Sequence, residues 1–257
     1  MTTKTPSSST IQKALDILML FRQKPEWTFA ELQAELEFNK STLSRILAVL
    51  RNNQFLRKNQ NSSYELGLNL FLLGHSVNHE HLLRTTSLPH MQELSNEIGL
   101  TTHLGTLETN EVIIIAKAEP RTKLRMTSRV GSTVPAHCTA QGKTLLAFSA
   151  SERVESIVNI RGLTRFTPNT ICTMNHLAEE LAAIRSRGYA VDQSEHEKHL
   201  VCVGVPILDR EGELAAALSI TGTVVDFPDE KSVARILPRL NAAKNLIRSE
   251  MGYMPDE

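Results

Sequence analysis

The chain has 257 residues, with 28 basic and 28 acidic side chains, so its formal net charge at pH 7 is zero. This length fits about two domains, and a hydrophobic content of 41% is enough to form buried cores. The charge balance argues against an architectural DNA-coating protein, because such proteins are usually basic throughout.

Two further features bear on where the protein works. No apolar run approaches the roughly 20 residues that a membrane span needs, and residues 1–10 lack the apolar core of a signal peptide. Cys138, Cys172 and Cys202 are scattered and form no CxxC pair, which favours reduced thiols over a disulfide framework. We therefore expect a cytoplasmic protein with no membrane partner and a disordered N-terminal tail.

The N-terminal segment predicts two short helices. Apolar residues recur at helical spacing from Ile11 to Phe21, and Pro25 ends that run. Thr28 and Glu31 have the spacing of a capping box, in which a hydroxyl and a carboxylate bind otherwise unpaired backbone amides. A second helix is therefore predicted after Thr28, with Leu32 and Leu36 on its apolar face.

A third helix, capped by Asn39, has one apolar and one cationic face. Its apolar residues are Leu43, Ile46, Leu47 and Leu50, and its other face carries Lys40, Ser41, Ser44, Arg45 and Arg51. Between Phe38 and Tyr64 the chain has five basic residues and no acid. Neutralised phosphates supply much of DNA affinity, and polar side chains at a helix N-terminus read base edges. The pattern fits a recognition helix, and a solvated amphipathic helix is the alternative.

Two short runs around the polar segment Asn59–Ser63 predict a β-hairpin after the third helix. Three helices followed by a basic hairpin describe a winged helix-turn-helix domain over residues 10–67. Arg57 and Lys58 lie on the predicted wing, where they would contact phosphate or a minor groove. The residues predicted to form the interface with double-stranded operator DNA are Thr28, Lys40, Ser41, Thr42, Ser44, Arg45, Arg51, Arg57 and Lys58.

Residues 68–88 predict a linker helix that mediates dimerisation. Its apolar residues lie on several sides of the helix, so one small domain cannot bury all of them; they include Leu70, Phe71, Leu73 and Val77. We expect this helix to pack against a second copy of the chain, because a dimer would present two recognition helices to a near-palindromic site.

Residues 89–251 predict a second domain of the α+β class with a mostly antiparallel sheet. A helix through Met91 and Ile98 ends at Gly99, and a C-terminal helix closes the domain. The predicted strands span residues 101–107, 112–115, 124–129, 189–191, 201–208 and 214–221, and further helices span residues 139–148, 175–187 and 229–251.

Three blocks of sequence resemble the IclR family of bacterial transcriptional regulators. They are STLSRILAVLRNNQFL at residues 41–56, PAHCTAQGKTLLAF at residues 135–148, and RSRGYAVDQSEHEKHLVCVGVPILDREGELAAALSITG at residues 185–222. The resemblance implies a winged helix-turn-helix, a linker helix and a GAF-like domain that binds a small metabolite, in homodimers that often form homotetramers. Repression and activation both occur in the family, and activation would add RNA polymerase as a partner. No cofactor is implied.

The start of the helix at residues 139–148 predicts an effector site. Free amides at a helix N-terminus favour an anion, so a small organic acid is the expected effector class. By resemblance, the residues lining this site are Gln141, Gly142, Asp192, Leu200, Cys202, Ser219 and Thr221, with Leu124 and Val134 as apolar walls. Ser219 and Thr221 share one face of a strand, and simple cross-strand pairing of their hydroxyls is the alternative. Asp192 fits a ligand contact and a backbone cap equally well.

The sequence also contains residues that could form two other kinds of site. His196, His199 and Cys202 have an HxxHxxC spacing that could bind zinc, but a structural zinc site needs a fourth ligand and the corresponding loop of the family is usually metal-free. We therefore predict no metal. An enzyme could use Cys202 or Cys138 as a nucleophile, but no activating motif flanks either cysteine and VCVGVPI is a strongly apolar strand. We predict a regulator without a catalytic residue.

Overall fold

The computed structural model describes residues 10–21, 23–75, 79–108, 110–121 and 128–253. The chain divides into two compact units, residues 1–78 and 79–257. The first unit therefore ends within the predicted linker, and each unit has its own hydrophobic core.

The first unit is a winged helix-turn-helix. Its elements are α1 (Thr10–Leu20), α2 (Phe29–Leu36), α3 (Lys40–Asn52), β1 (Leu56–Lys58), β2 (Tyr64–Leu66) and α4 (Leu68–His75). Strands β1 and β2 form an antiparallel hairpin in which Arg57 lies opposite Glu65. A bridge from Trp27 to Tyr64 attaches the hairpin to the segment before α2. The predicted order of three helices and a wing is confirmed.

Both predicted helix caps of the first unit are present. Thr28 Oγ1 accepts a hydrogen bond from the Glu31 amide at 3.3 Å, and the Thr28 amide donates to Glu31 Oε2 at 2.7 Å. Asn39 Oδ1 accepts from the Thr42 amide at 2.8 Å. These bonds fix where α2 and α3 begin, because each satisfies backbone donors that a helix start leaves unpaired.

The predicted helix α1 is present, but only some of its apolar residues face the core. Ile17 and Leu20 are buried, whereas Ile11 is 74% and Leu15 50% exposed. The helix carries apolar residues on more than one side, so helical spacing alone does not determine which side meets the core.

Within the described residues, the second unit is built on one six-stranded sheet. Its elements are α5 (His79–Ile98), β3 (Thr101–Glu108), β4 (Glu111–Ala118), β5 (Thr133–Val134), α6 (Ala140–Ala147), α7 (Ser151–Arg161), α8 (Met174–Arg187), β6 (Ala190–Gln193), β7 (Leu200–Leu208), β8 (Leu214–Thr223) and α9 (Glu230–Glu250). The strand order is β5-β4-β3-β8-β7-β6, and the neighbouring strands pair antiparallel. The predicted α+β class is confirmed.

One helix of the second unit runs through a boundary predicted from the sequence. Helix α5 runs from His79 to Ile98 with Pro89 inside it, so the predicted break between a linker helix ending at Leu88 and a separate helix through Met91 is wrong. Buried Leu83, Met91 and Leu94 hold both halves of α5 on the same core, which offsets the backbone hydrogen bond that proline removes. The strand predicted at residues 124–129 falls mainly on residues 122–127, outside the described residues.

The two faces of the sheet carry different layers. Leu218 and Ile220 of β8 belong to the core that includes residues of α5 and α9, whereas Ala217 belongs to the core that includes residues of α6, α7 and α8. Since successive strand residues face opposite sides, Ser219 and Thr221 lie on the α6 side of the sheet. This alternation places hydroxyl groups beneath the start of α6.

Glycines allow α6 to approach its surroundings closely. A Cβ atom on Gly142 would lie 2.3 Å from the Ala136 carbonyl oxygen, and one on Gly204 would lie 2.9 Å from the Ala140 carbonyl oxygen. Backbone atoms cannot move aside as a flexible side chain can. The position of α6 over the sheet therefore requires residues without a side chain, that is glycines, at positions 142 and 204.

We expect Gly142→Ala to destabilise the protein by about 1–3 kcal/mol, the usual cost of overpacking. Replacing glycine by alanine inside a helix ordinarily stabilises it by roughly 0.5–1 kcal/mol, so the sign of the change distinguishes steric crowding from helix propensity. Urea unfolding of the variant and wild type measures this difference. A variant more stable than wild type would contradict the close approach.

Candidate functional sites

The exposed face of α3 carries the predicted recognition residues. Lys40, Ser41, Ser44, Arg45 and Arg51 are exposed and Thr42 is half-buried, while Leu43, Ile46, Leu47 and Leu50 are buried in the core of the first unit. The helix therefore presents the cationic and hydroxyl side chains predicted for groove contacts.

Some predicted DNA-contact groups already have partners within the protein. The Thr28 hydroxyl is 2.9 Å from Glu31 Oε2, and Ser41 Oγ donates to Asn39 Oδ1 at 3.0 Å. On the wing, Arg57 Nη2 lies 2.7 Å from Glu65 Oε2, and Lys58 Nζ lies 5.0 Å from the centre of the Tyr64 ring. Arg57 remains 72% exposed, and solvent-exposed ion pairs are weak, so DNA phosphate can compete with Glu65.

A cavity of about 110 Å³ lies between the start of α6 and the sheet. Its floor is formed by two cross-strand rows. In one, His103 of β3 lies opposite Ser219 of β8; in the other, Thr221 of β8 lies opposite Cys202 of β7, which is opposite Asp192 of β6. Directly opposite residues share a face of the sheet, so these side chains converge.

Most of the predicted effector residues line this cavity, namely Val134, Gln141, Asp192, Leu200, Cys202, Ser219 and Thr221. Lining residues that were not predicted as effector contacts include His103, Ile114, Ser128, Thr139, Ala140, His196 and Glu197. Leu124, predicted as an apolar wall, lies outside the described residues.

Gln141 and Gly142 have structural roles at the start of α6. Gln141 Nε2 donates to the Ala217 carbonyl at 3.3 Å, and a Cβ on Gly105 would lie 3.1 Å from the same nitrogen. The Gln141 side chain therefore fills space over the sheet as well as lining the cavity. Gly142 is not among the described lining residues, and its amide donates to Thr139 Oγ1 at 3.1 Å, so its role seen here is to form the first turn of α6.

Asp192 belongs to a buried charged network at the edge of the cavity. Its Oδ1 accepts a hydrogen bond from the Glu195 amide at 2.7 Å, and the Glu195 carboxylate pairs with the buried ammonium of Lys143. That ammonium also donates to the Val191 carbonyl at 2.7 Å. Burial raises the pKa of Asp192 to about 7, because the charged form is poorly solvated there. Asp192 is thus both a backbone cap and a cavity group.

His103 was not predicted as a site residue. The burial pattern of β3 shows why, since side chains on both faces of the strand are buried and alternation gives no signal. Its Nε2 lies 2.8 Å from Ser128 Oγ and its Nδ1 3.4 Å from Thr221 Oγ1. Its place in the cavity follows from its pairing with Ser219, which the sequence alone does not show.

Cys138 and Cys202 lack the environment of an activated nucleophile. Burial raises the pKa of the Cys138 and Cys202 thiols well above their usual range, so both remain protonated and are poor nucleophiles. His196 and Cys202 line the cavity and His199 does not. Within the described part of the chain, no group of three or more His, Cys, Asp or Glu residues could hold a metal.

No helix among the described residues is long and apolar enough to cross a membrane.

Comparison with known proteins gives consistent matches over both units. The IclR helix-turn-helix domain matches residues 10–60, and the bacterial transcriptional regulator IclR C-terminal domain matches residues 75–248. The HTH-type transcriptional regulator XynR of Escherichia coli (strain K12) is 32% identical over 250 residues, which cover 96% of this chain and 99% of XynR. The regulator KdgR of Dickeya chrysanthemi is 33% identical over 253 residues, 97% of this chain and 82% of KdgR.

Solved structures share the fold. Thermotoga maritima IclR superposes with a TM-score of 0.63 at 30% identity, covering 95% of this chain and 99% of that protein. An IclR homologue from Microbacterium hydrocarbonoxydans, complexed with 4-hydroxybenzoate, superposes with a TM-score of 0.62 at 24% identity, covering 95% of this chain and 99% of its own.

The environment of Asp192 predicts a specific pH dependence of stability. Its folded-state pKa is about 7, against 3.8 for an exposed aspartate, so between these values the folded state retains a proton that the unfolded state has released. The stabilisation is complete below about pH 4 and is lost as pH rises through about 7. Relative to Asp192→Asn, wild type should lose at most about 1.4 kcal/mol of unfolding free energy per pH unit in this window.

Urea unfolding of both proteins at about pH 5 and about pH 8 tests this expectation. Asparagine keeps an oxygen that can accept the Glu195 amide, so it is a matched replacement. An unchanged stability difference at the two pH values would mean that Asp192 titrates normally.

Proposed function

The chain belongs to the IclR family of bacterial transcriptional regulators, which are not enzymes, and we propose that it is a cytoplasmic regulator whose DNA binding responds to a small organic acid. The observation that carries the proposal is the cavity of the second unit, in which hydroxyl groups of the sheet face the N-terminus of α6. The first unit would bind double-stranded operator DNA.

The exposed face of α3 supports the DNA-binding part of the proposal. Arg45 is exposed beyond the buried Leu43, Ile46 and Leu47, so its guanidinium can reach a base edge with two parallel donors. Arg57 and Lys58 on the hairpin would contact phosphates, which position a protein on DNA without reading its sequence.

The geometry at the start of α6 supports a carboxylate effector. The amides of Ala140 and Gln141 precede the first intrahelical hydrogen bond, which runs from the Lys143 amide to the Thr139 carbonyl. Both residues line the cavity, and amides at a helix N-terminus favour a negative charge. The crystallised IclR homologue with bound 4-hydroxybenzoate supports an acid as the ligand class.

The apolar side chains of α4 support assembly into a homodimer, which could pair further into a homotetramer. Leu68, Phe71, Leu72 and Leu73 are each more than half exposed on this helix. Burying such a face requires another surface, and a second copy would also present two recognition helices to a two-fold operator. RNA polymerase would be a further partner if the protein activates transcription.

Coupling between effector and operator follows from linkage. An acid changes DNA affinity only if it binds one arrangement of the dimer more tightly than another. A preference of about 1–3 kcal/mol would change operator affinity roughly 5- to 150-fold.

The recognition helix and the wing should respond differently to mutation. We expect Arg45→Ala to weaken operator binding strongly, by about 1–3 kcal/mol for a lost base contact. Arg57→Ala or Lys58→Ala should weaken binding to operator and random DNA alike. Each should also reduce the slope of log affinity against log salt concentration by about one, because one phosphate contact is lost. Lys231→Ala, at an exposed lysine of α9, serves as the control. Operator binding by Arg45→Ala equal to wild type in a gel-shift salt titration would refute the recognition-helix assignment.

The cavity floor should be needed for the effector response. We expect the double variant Ser219→Ala, Thr221→Ala to bind operator normally but to lose the effect of the acid, because two hydroxyl donors are removed from the floor. A thermal-shift screen of wild type against small carboxylic acids identifies the acid to use, since a ligand that binds only the folded state raises its stability. An unchanged response of the double variant would remove both residues from the site.

A further inference from the structure

His103 is a buried, neutral hydrogen-bonding group in the floor of the cavity. It is 5% exposed, and burial, followed by the nearby charge of Lys117, lowers its pKa to about 4. A neutral imidazole has one donor nitrogen and one acceptor nitrogen. At neutral pH His103 therefore offers the cavity directional hydrogen bonding without a positive charge.

His103 is the central member of a chain of hydrogen bonds along the cavity floor. Cys202 Sγ lies 3.4 Å from Thr221 Oγ1, which lies 3.4 Å from His103 Nδ1. The other ring nitrogen is 2.8 Å from Ser128 Oγ, and Lys117 Nζ holds the Ser128 carbonyl at 2.8 Å. The Ser128 end of the chain is thus tightly held. The Thr221 end is looser, because an oxygen–nitrogen distance of 3.4 Å exceeds the usual range.

Either tautomer of His103 leaves Thr221 able to bind a ligand hydroxyl. If Nε2 donates to Ser128, Nδ1 accepts from the Thr221 hydroxyl, and the Thr221 oxygen can still accept. If Ser128 donates to Nε2, Nδ1 donates to Thr221, and the Thr221 hydrogen is available to a ligand. A hydroxyl group both donates and accepts and fits both cases, whereas an alkyl group fits neither.

The volume of the cavity limits the size of the ligand. A water molecule needs about 10–15 Å³ of such volume. The cavity of about 110 Å³ therefore accommodates roughly 7–11 non-hydrogen atoms, if each takes about as much of this volume as a water molecule. A carboxylate at the start of α6 uses three of them, leaving space for a short carbon skeleton with one or two substituents.

We propose that His103 is a positioning residue that determines effector specificity: it orients the Thr221 hydroxyl to recognise a hydroxyl substituent, so that the protein selects hydroxylated acids over their unsubstituted parents. The proposal rests on the proposed function, because it requires an acid effector in this cavity. Selection is expected to be strong, since a site built to hydrogen-bond a hydroxyl leaves buried polar groups unpaired when the hydroxyl is missing.

Calorimetric titration of the full-length protein with matched pairs of acids tests the proposal. The probes are butanoate with 3-hydroxybutanoate, and benzoate with 3-hydroxybenzoate. We expect wild type to bind at least one hydroxylated acid more than about tenfold tighter than its parent. His103→Phe keeps an aromatic ring without its nitrogens and should bring that ratio close to one. His103→Gln keeps a donor and an acceptor and should restore part of the preference.

The outcomes separate this inference from the proposed function. Equal binding of parent and hydroxylated acids by wild type, or an undiminished preference in His103→Phe, would overturn the role of His103 while leaving an acid-responsive regulator intact. If wild type binds operator DNA and none of the four acids, the inference and the acid effector class both fail. Should His103→Phe not fold, Thr221→Val replaces it, and a retained preference in that variant would also refute the proposal.

Discussion

The cavity of the second unit depends on how closely α6 lies over the sheet. Gly142 allows the first turn of the helix to touch the Ala136 backbone, and Gly204 leaves room on β7 for the Ala140 carbonyl and the Thr144 side chain. Thr139 ties this turn together by accepting from the Gly142 amide and donating to the Pro135 carbonyl at 2.7 Å. A helix held at this distance brings its first amides close to the sheet, so an anion near them also meets the side chains of the cavity floor.

The same close packing buries a charge that must be balanced. Lys143 follows Gly142 directly and its side chain is 1% exposed, which would be very costly for an unpaired ammonium. Glu195, Glu180 and the Val191 carbonyl surround it. Removing one partner of such a pair lowers stability by more than the intact pair contributes to it, because the remaining charge stays buried without a partner. The network therefore fixes the position of the segment that carries Asp192 more than it adds to overall stability.

The elements that could be predicted from the sequence are those with local signals. The side chains of Thr28 and Glu31 form the capping box that begins α2. The buried apolar residues of α3 all lie on one face of the helix, as their spacing in the sequence indicates. The hydroxyls of Ser219 and Thr221 alternate with a buried Ile220, so their common face was predictable. In each case the deciding interaction lies within a few residues of the chain.

The features that escaped prediction depend on contacts between distant segments. His103 joins the cavity only because β3 pairs with β8, more than 100 residues later. The side of α1 that is buried depends on where α3 lies, and α5 continues through Pro89 because both of its halves pack on one core. The spacing of apolar residues shows that a segment has an apolar side. The register of a strand, and the side of a helix that is buried, are determined by the element that packs against it.

The two proposed binding surfaces handle charge in opposite ways. The face of α3 is exposed and its cations are solvated, so affinity for a polyanion can come from displaced counterions and will depend on salt. The described lining of the cavity instead combines helix amides, hydroxyls, the neutral ring of His103 and the buried carboxyl group of Asp192. Such groups act at short range and require specific geometry. A ligand bound there is selected by the positions of its polar atoms, whereas attraction to DNA begins at longer range through charge.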